Sequence, residues 1–309
     1  MFGSGRGRVL LFHGTQGLPS TTPQVIEGPH NGARFGAVVA NAGSLLNTAG
    51  DGLAVSGSNA APGRVYVYGS TGSIVPNVPT VTFTGTGVGC TSTFGEHIAS
   101  VGNIDGLHRD DLLISGSGCS VMKANEGVAY LFTSTATTAT YTNWAQAGDT
   151  VGAALGPVAG LGDVNGDGRP EFALGVPRWS SGATTNGRVV VFFGAPSGLP
   201  TSSVVINLPT TGGAVPAFGA AIAGGFDLNR DGNKDIVIGA PGWQGVMADQ
   251  GAIWAFRFNG LTPVVLTSYI GIGPERLGAS IAMGNSLRSP HTPTWRWAHP
   301  TTRRRSSQR

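Results

Sequence analysis

Two short stretches concentrate the oxygen ligands of a charge-poor chain. In DVNGDGRPEF, Asp163, Asn165 and Asp167 stand at positions 1, 3 and 5. Gly168 comes at 6, the Arg169 carbonyl at 7 and Glu171 at 9. In DLNRDGNKDI, Asp227, Asn229 and Asp231 fill the same places, with Gly232, the Asn233 carbonyl and Asp235 after them. Alternate oxygens around a glycine turn wrap one hard cation, and Ca2+ takes about six to eight oxygens in flexible geometry. Mg2+ prefers tighter octahedral sites with retained water. An EF-hand would place a bidentate Glu at position 12, where Leu174 and Ile238 stand. The final carboxylate comes at position 9 instead, as an apolar run begins. Carboxylates this close repel one another unless a cation sits between them. The expected cofactor is therefore Ca2+, set against a plainer reading in which Asp and Asn only build turns.

A weaker set is Asn103, Asp105 and Asp111, with Leu107 at position 5, for which weak or no binding is expected. The stretch NAGSLLNTAGDGLAV has no usable ligands. No G-x-S-x-G occurs, and His13, His30, His97, His108, His291 and His299 form no metal spacing. GSGRGR and GTGVG lack a following helix, so they are poor phosphate loops. The chain reads as a non-enzyme.

The acidic loops run into apolar stretches that repeat: GLAVSGSN (52–59), DLLISGSG (111–118), EFALGVPRW (171–179) and DIVIGAPGW (235–243). Each is followed by a G-x-V/I-aromatic stretch, GRVYVYGS, GVAYLFTS, GRVVVFFG and GAIWAFRF. Each is preceded by an FG-like stretch at Phe35, Phe94, Phe218 and Leu277, while the third copy offers either Val151-Gly152 or Leu155-Gly156. Taking Val151, the spacings are 59, 57, 67 and 59 residues. A Val/Ile run such as SSVVINLP (202–209) supplies a fourth strand. Charged residues are 11% of the chain, against about 25% usually, and glycine is abundant, which suits an all-β chain with tight turns. Four-stranded units repeated radially predict a β-propeller.

The FG, D-x-N-x-D-G and GAP pattern resembles the FG-GAP repeat of integrin alpha propellers and related bacterial surface proteins, over residues 8 to about 284. The resemblance implies a calcium hairpin between strands one and two of a blade. It also implies an extracellular or cell-surface module that binds a protein or glycan ligand or mediates adhesion. A non-catalytic propeller appendage of a larger secreted hydrolase is the alternative. In such a blade Cys90 and Cys119 lie in loops on the face opposite the calcium loops. A disulfide is expected there, against two separate thiols, and it would indicate an oxidising compartment. Trp179 and Trp243 occupy matched places on that face, as a ligand surface or as lids on the blade core. The loops around 85–93 and 210–217 belong to the same face.

The expected organisation is a partial blade of outer strands (1–34), blades at 35–93, 94–150, 151–217 and 218–276, and the first strand of a further blade (277–285). Four blades and two partial ones suggest a fragment of a seven-bladed ring. Residues 286–309 carry six of the 19 basic residues and no acid, so the remainder balances 13 against 16, or −3. The high pI belongs to that tail, and no nucleic-acid partner is expected. With codons shifted by one base, TWRWAHP can be read as x-Val-Ala-Val-Gly-Ala-Pro, a GAP strand. The tail is thus expected to be out of frame or disordered, and the true protein longer. No apolar stretch is long enough for a membrane span, and any signal or anchor would lie outside this chain.

Overall fold

A computed structural model describes residues 5–285 and 293–297, apart from 15–18, 30–31, 33, 47, 58–61, 72–73, 91–92, 108, 136–138, 183, 197 and 210–214. Among these residues there is no α-helix, only a 3-10 turn over Gly85–Val88. No helix is long and apolar enough to cross a membrane.

Strands β1 (Arg8–Leu11) and β2 (Gln24–Glu27) form an antiparallel pair. Blade 1 is the meander β3 (Val39–Gly43), β4 (Gly50–Gly57), β5 (Arg64–Ser70), β6 (Val81–Thr84). Blade 2 is β7 (His97–Gly102), β8 (Asp111–Gly116), β9 (Val128–Ser134), β10 (Ala139–Ala147). In blade 3, β11 (Val158–Gly162) and β12 (Glu171–Val176) lead through a small ribbon, β13 (Ser180–Ser181) and β14 (Thr184–Thr185). The sheet then continues with β15 (Arg188–Phe192) and β16 (Ser203–Asn207). Blade 4 is β17 (Ala221–Phe226), β18 (Asp235–Ala240), β19 (Ala252–Asn259), β20 (Thr262–Ile270). A last pair joins β21 (Ile281–Asn285) and β22 (Pro293–Trp297).

The burial of each strand matches its sequence. The GAP-like strands β8, β12 and β18 are buried along their whole length. A strand covered on both faces reads as a continuous apolar run rather than an alternation. The outer strand β16 has one face in solvent and alternates accordingly. The first strands of successive blades, β3, β7, β11, β17 and β21, run side by side, and the apolar cores continue from blade to blade. This is the blade arrangement of a β-propeller.

The FG-like motif joins neighbouring blades. Phe35, Phe218 and Leu277 form parallel bridges to Gly7, Gly187 and Gly251, the glycines that open the last strands but one of the preceding units. A Cβ at Gly187 would run into the Phe218 backbone, so glycine is required there. In the third repeat it is Leu155, fully buried, that faces Gly127, while Val151 is 71% exposed. The motif therefore starts four residues later than the Val151 reading. The spacings become 59, 61, 63 and 59, more even than those counted from Val151.

At the far end, TWRWAHP does not read as a second strand. Pro293–Trp297 nevertheless pairs with β21 in the place that strand takes, Ile281 opposite Trp297 and Asn285 opposite Pro293. An open strand edge offers backbone partners to any segment of β-compatible residues. The rest of the tail, 286–292 and 298–309, lies outside the described residues.

Candidate functional site

Each acidic loop is a hairpin between the first and second strands of its blade. The first strand breaks register just before the loop, between Gly160 and Gly162 in blade 3 and between Ala223 and Phe226 in blade 4. Blades 1 and 2 break at the same place. Such bulges turn the strand end and re-aim the hairpin loop. The position-9 carboxylate is thereby fixed as the first residue of the second strand, Glu171 opposite Gly162 and Asp235 opposite Phe226.

The two loops are hydrogen-bonded alike. Asp163 accepts the Gly166 and Gly168 amides at 2.7 and 2.8 Å, and Asp227 accepts those of Arg230 and Gly232 at 2.5 and 2.9 Å. Asn165 Oδ1 accepts from Asp167 N–H at 2.9 Å, and Asn229 Oδ1 from Asp231 N–H at 3.0 Å. Asp167 and Asp231 accept from Arg169 and Asn233 N–H at 2.9 and 3.0 Å. Their other oxygens receive the Asn165 and Asn229 amides at 3.2 and 2.8 Å. The side chains at positions 1, 3 and 5 are thus drawn inward by main-chain donors. An oxygen that accepts one amide keeps a second lone pair for another partner.

The position-9 carboxylates are fully buried. Glu171 Oε2 accepts from Val164 N–H at 2.8 Å, and Asp235 Oδ2 from Leu228 N–H at 2.6 Å. Burial, added to the charges of Asp167 and Asp163, pushes Glu171 up to about 7 despite its amide donors. Burial likewise pushes Asp235 up to about 6, with Asp231 and Asp227 adding to it. Asp235 Oδ1 is buried with no hydrogen-bond partner. An orphaned carboxylate oxygen costs more than an orphaned neutral one. A cation held by this loop would satisfy that oxygen, so the donor set fits Ca2+. Among the described residues no group of three or more His, Cys, Asp or Glu side chains converges as a metal cluster. The loops' remaining donors are Asn side chains and main-chain carbonyls.

Blade 2 keeps the frame with Leu107 in place of the position-5 carboxylate. Asp111 Oδ2 accepts from Ile104 N–H at 2.8 Å, as its counterparts do, but its Oδ1 is filled by Ser134 N–H at 3.1 Å. Burial, then the Asp105 charge, pushes Asp111 up to about 7. Asp105 is buried and caps Leu107 N–H at 2.9 Å, and Asn103 Oδ1 is buried without a partner. In blade 1, glycine (Gly52) stands at position 9. Neighbouring loops also touch, since Lys234 N–H donates to the Asp163 carbonyl at 2.8 Å.

The opposite ends of the blades differ more. Cys90 and Cys119 form a disulfide with Cα atoms 5.0 Å apart, and no described cysteine is free. The main chain puts Cys119 where blades 3 and 4 put Trp179 and Trp243. Each closes the same turn, Cys119 N–H to the Gly116 carbonyl, Trp179 to Val176 and Trp243 to Ala240. Each carbonyl accepts the glycine amide that opens the third strand, Gly127, Gly187 or Gly251. Trp243 is only 8% exposed, lies edge-on to Trp254 at 6.3 Å and packs in the core of its blade. Trp179 is half-buried, with the Arg188 guanidinium over its ring at 4.6 Å. Of the loops named for this face, 91–92 and 210–214 lie outside the described residues.

Two further residues carry a task that no motif signals. Glu126 Oε1 accepts from the Val121, Met122 and Lys123 amides, and Gln250 Oε1 from those of Gly245 and Met247. Burial raises the Glu126 pKa, but the three amides and Lys123 outweigh it and hold the carboxyl below its usual value. Both residues directly precede the third-strand glycine, a matched place that could have flagged them.

Known proteins share this pattern. The FG-GAP repeat model matches residues 155–192 and 218–256. Mouse integrin alpha-IIb is 31% identical over 163 residues, covering 49% of this chain and 15% of that protein. Rat phosphatidylinositol-glycan-specific phospholipase D is 32% identical over 111 residues, covering 34% of this chain and 13% of that protein. The rhamnogalacturonan lyase PL11 of Bacillus licheniformis superposes with a TM-score of 0.36 at 12% identity, over 72% of this chain and 46% of that one. The chain thus spans less than one sixth of the length of these two curated relatives.

Proposed function

Since the chain is an FG-GAP repeat protein of the integrin-alpha-like family, we propose that it is a calcium-binding β-propeller interaction module that works outside the cell. It binds a protein or glycan ligand and carries no catalytic group of its own. The observation that carries the calcium reading is the matched pair of loops in blades 3 and 4, with a buried carboxylate at position 9 of each. Asp163, Asn165, Asp167, the Arg169 carbonyl and Glu171 would hold one ion. Asp227, Asn229, Asp231, the Asn233 carbonyl and Asp235 would hold the other. The bound ion would supply charge compensation and cross-link the hairpin to the start of the second strand. The Cys90–Cys119 disulfide supports an oxidising, extracellular setting.

The test is a pair of melting curves. Asp167→Ala should lower Tm more in millimolar calcium than in chelator, where its two loop hydrogen bonds are lost, and equal losses in both media would remove the calcium reading. Binding to an array of extracellular matrix proteins and glycans would then test the ligand role. The likeness to a phospholipase favours a second reading, in which this propeller is the non-catalytic appendage of a larger secreted enzyme. A catalytic domain encoded in frame beside these blades would decide for it.

A further inference from the structure

Repetition provides an internal control. At the third and fourth places of the FG-like motif, blades 1, 3 and 4 carry Ala37-Val38, Pro157-Val158 and Ala220-Ala221, while blade 2 carries Glu96-His97. Two residues past the GAP-like strand, blades 2 and 4 carry Gly118 and Gly242, while blade 3 carries Arg178. The blade does not need these polar groups, since its sister copies do without them. His97 and Arg178 line one hollow between blades 2 and 3, at the end opposite the acidic loops, and Glu96 is bonded to Ser117 of its lining. His97, Ser117, Asn125, Gly152, Pro157 and Arg178 are among its lining residues.

The acids around this hollow are engaged and its arginine is not. Glu96 Oε2 accepts from the Ser117 amide at 2.9 Å and from its hydroxyl at 2.6 Å. Glu126 is spent on three loop amides, and Asp149 is paired with Arg188 at 2.8 Å. Arg178 is exposed, and its side chain makes no hydrogen bond or ion pair with the described residues. Burial holds the His97 pKa down, partly countered by Glu96, which leaves a neutral imidazole at the hollow.

Two of the loops that line it carry exposed apolar residues. The loops that supply Asn125 and Gly152 also expose Val121, Met122 (86%) and Val151. They are fixed to each other through Gly152 N–H to the Ala124 carbonyl at 2.9 Å and Ala154 N–H to the Asn125 carbonyl at 3.2 Å. A loop main chain already held in place loses little entropy on binding. An unpaired guanidinium in the hollow and apolar side chains on the loops that line it match a carboxylate flanked by an aliphatic side chain.

We propose that the hollow between blades 2 and 3 binds a protein partner through an Asp or Glu side chain of that partner seated on Arg178, with the neighbouring apolar residue against Met122 and Val121. This inference rests on the reading of the chain as an interaction module. It is tested separately from calcium, because these residues sit at the far end of the blades from the loops.

The experiment titrates the full chain with acetyl-Leu-Glu-Leu-amide and its Gln counterpart, following the Met122 methyl and His97 ring signals by NMR. The acidic peptide should shift both signals and bind at least tenfold more tightly than the neutral one. Arg178→Gln should abolish that preference, and Met122→Ser should weaken both peptides several-fold. Equal binding of the two peptides, or an unchanged preference in Arg178→Gln, would overturn the proposal. Binding of oligogalacturonate in place of the acidic peptide would overturn it too, in favour of a saccharide. Failure of the matrix array with peptide binding intact would remove the broader functional reading and leave this site standing.

Discussion

The two ends of the blades behave differently. At the acidic-loop end, blades 3 and 4 are near copies: the same bulge, the same amide-to-carboxylate bonds, the same buried position-9 acid. At the other end, one backbone place is Cys119, Trp179 or Trp243, and the place before it is Gly118, Arg178 or Gly242. The loop end is held constant by local geometry, since the side-chain oxygens at positions 1, 3 and 5 serve donors inside their own hairpin. At the other end the same backbone place is filled by a disulfide in one blade and by an indole in two others. Side chains there are free to diverge, and divergence is where individual recognition can arise.

Four experiments would break or sharpen this contrast. Trp243→Ala, at a nearly buried indole, should cost about 3–5 kcal/mol in urea unfolding. A loss below about 1 kcal/mol would mean that the tryptophan is no lid. Replacing both Cys90 and Cys119 by Ala should cost about 2–4 kcal/mol, and Cys90→Ala with Cys119→Trp should recover part of it if the two closures are equivalent. Next, Asp231→Ala should lose, beyond its loss in chelator, the calcium increment of about 2.7 kcal/mol when calcium is a hundredfold above its Kd. Asp105→Ala, buried in blade 2, should destabilise equally with calcium and with chelator. An Asp105 variant with a calcium-dependent loss would show that blade 2 also holds an ion.

The smallest effect concerns pH. His97 is held neutral by burial, with Glu96 and Arg178 the charged groups near it, so its folded pKa lies below the unfolded 6.5. Below that pH the unfolded chain binds the extra proton more readily, so this stability contribution is present above 6.5 and is lost as pH falls. In chelator, with no cation on the loops, Glu171, Asp111 and Asp235 act in the opposite direction, since their raised pKa values favour the fold at lower pH. The readout is therefore the difference between the wild type and His97→Gln, whose Tm should converge from pH 7.5 to pH 5. Parallel curves would mean that His97 does not titrate between them.

Much of this molecule is legible in one dimension. Strands buried on both faces write themselves as unbroken apolar runs such as FALGV, and their recurrence marks out the four-strand unit. The acidic loops are equally legible, because ligand spacing is local and the hairpin needs only its own residues. Other features are not local. Leu155-Gly156 and Val151-Gly152 look alike as text, and only the fit of Leu155 against Gly127 chooses between them. Glu126 and Gln250 differ in charge, and their common task shows only when the loop amides are seen pointing at them.

The sequence by itself determined the strand units, their number within this chain and the position of the oxygen-rich loops, because each depends on neighbours a few residues away. Tertiary structure alone decided which residue joins blade to blade. It made Cys119 the counterpart of a tryptophan, and it brought His97 and Arg178, 81 positions apart, to one hollow. Those outcomes depend on packing between blades, where contact is set by the stacking of sheets and not by the order of the chain.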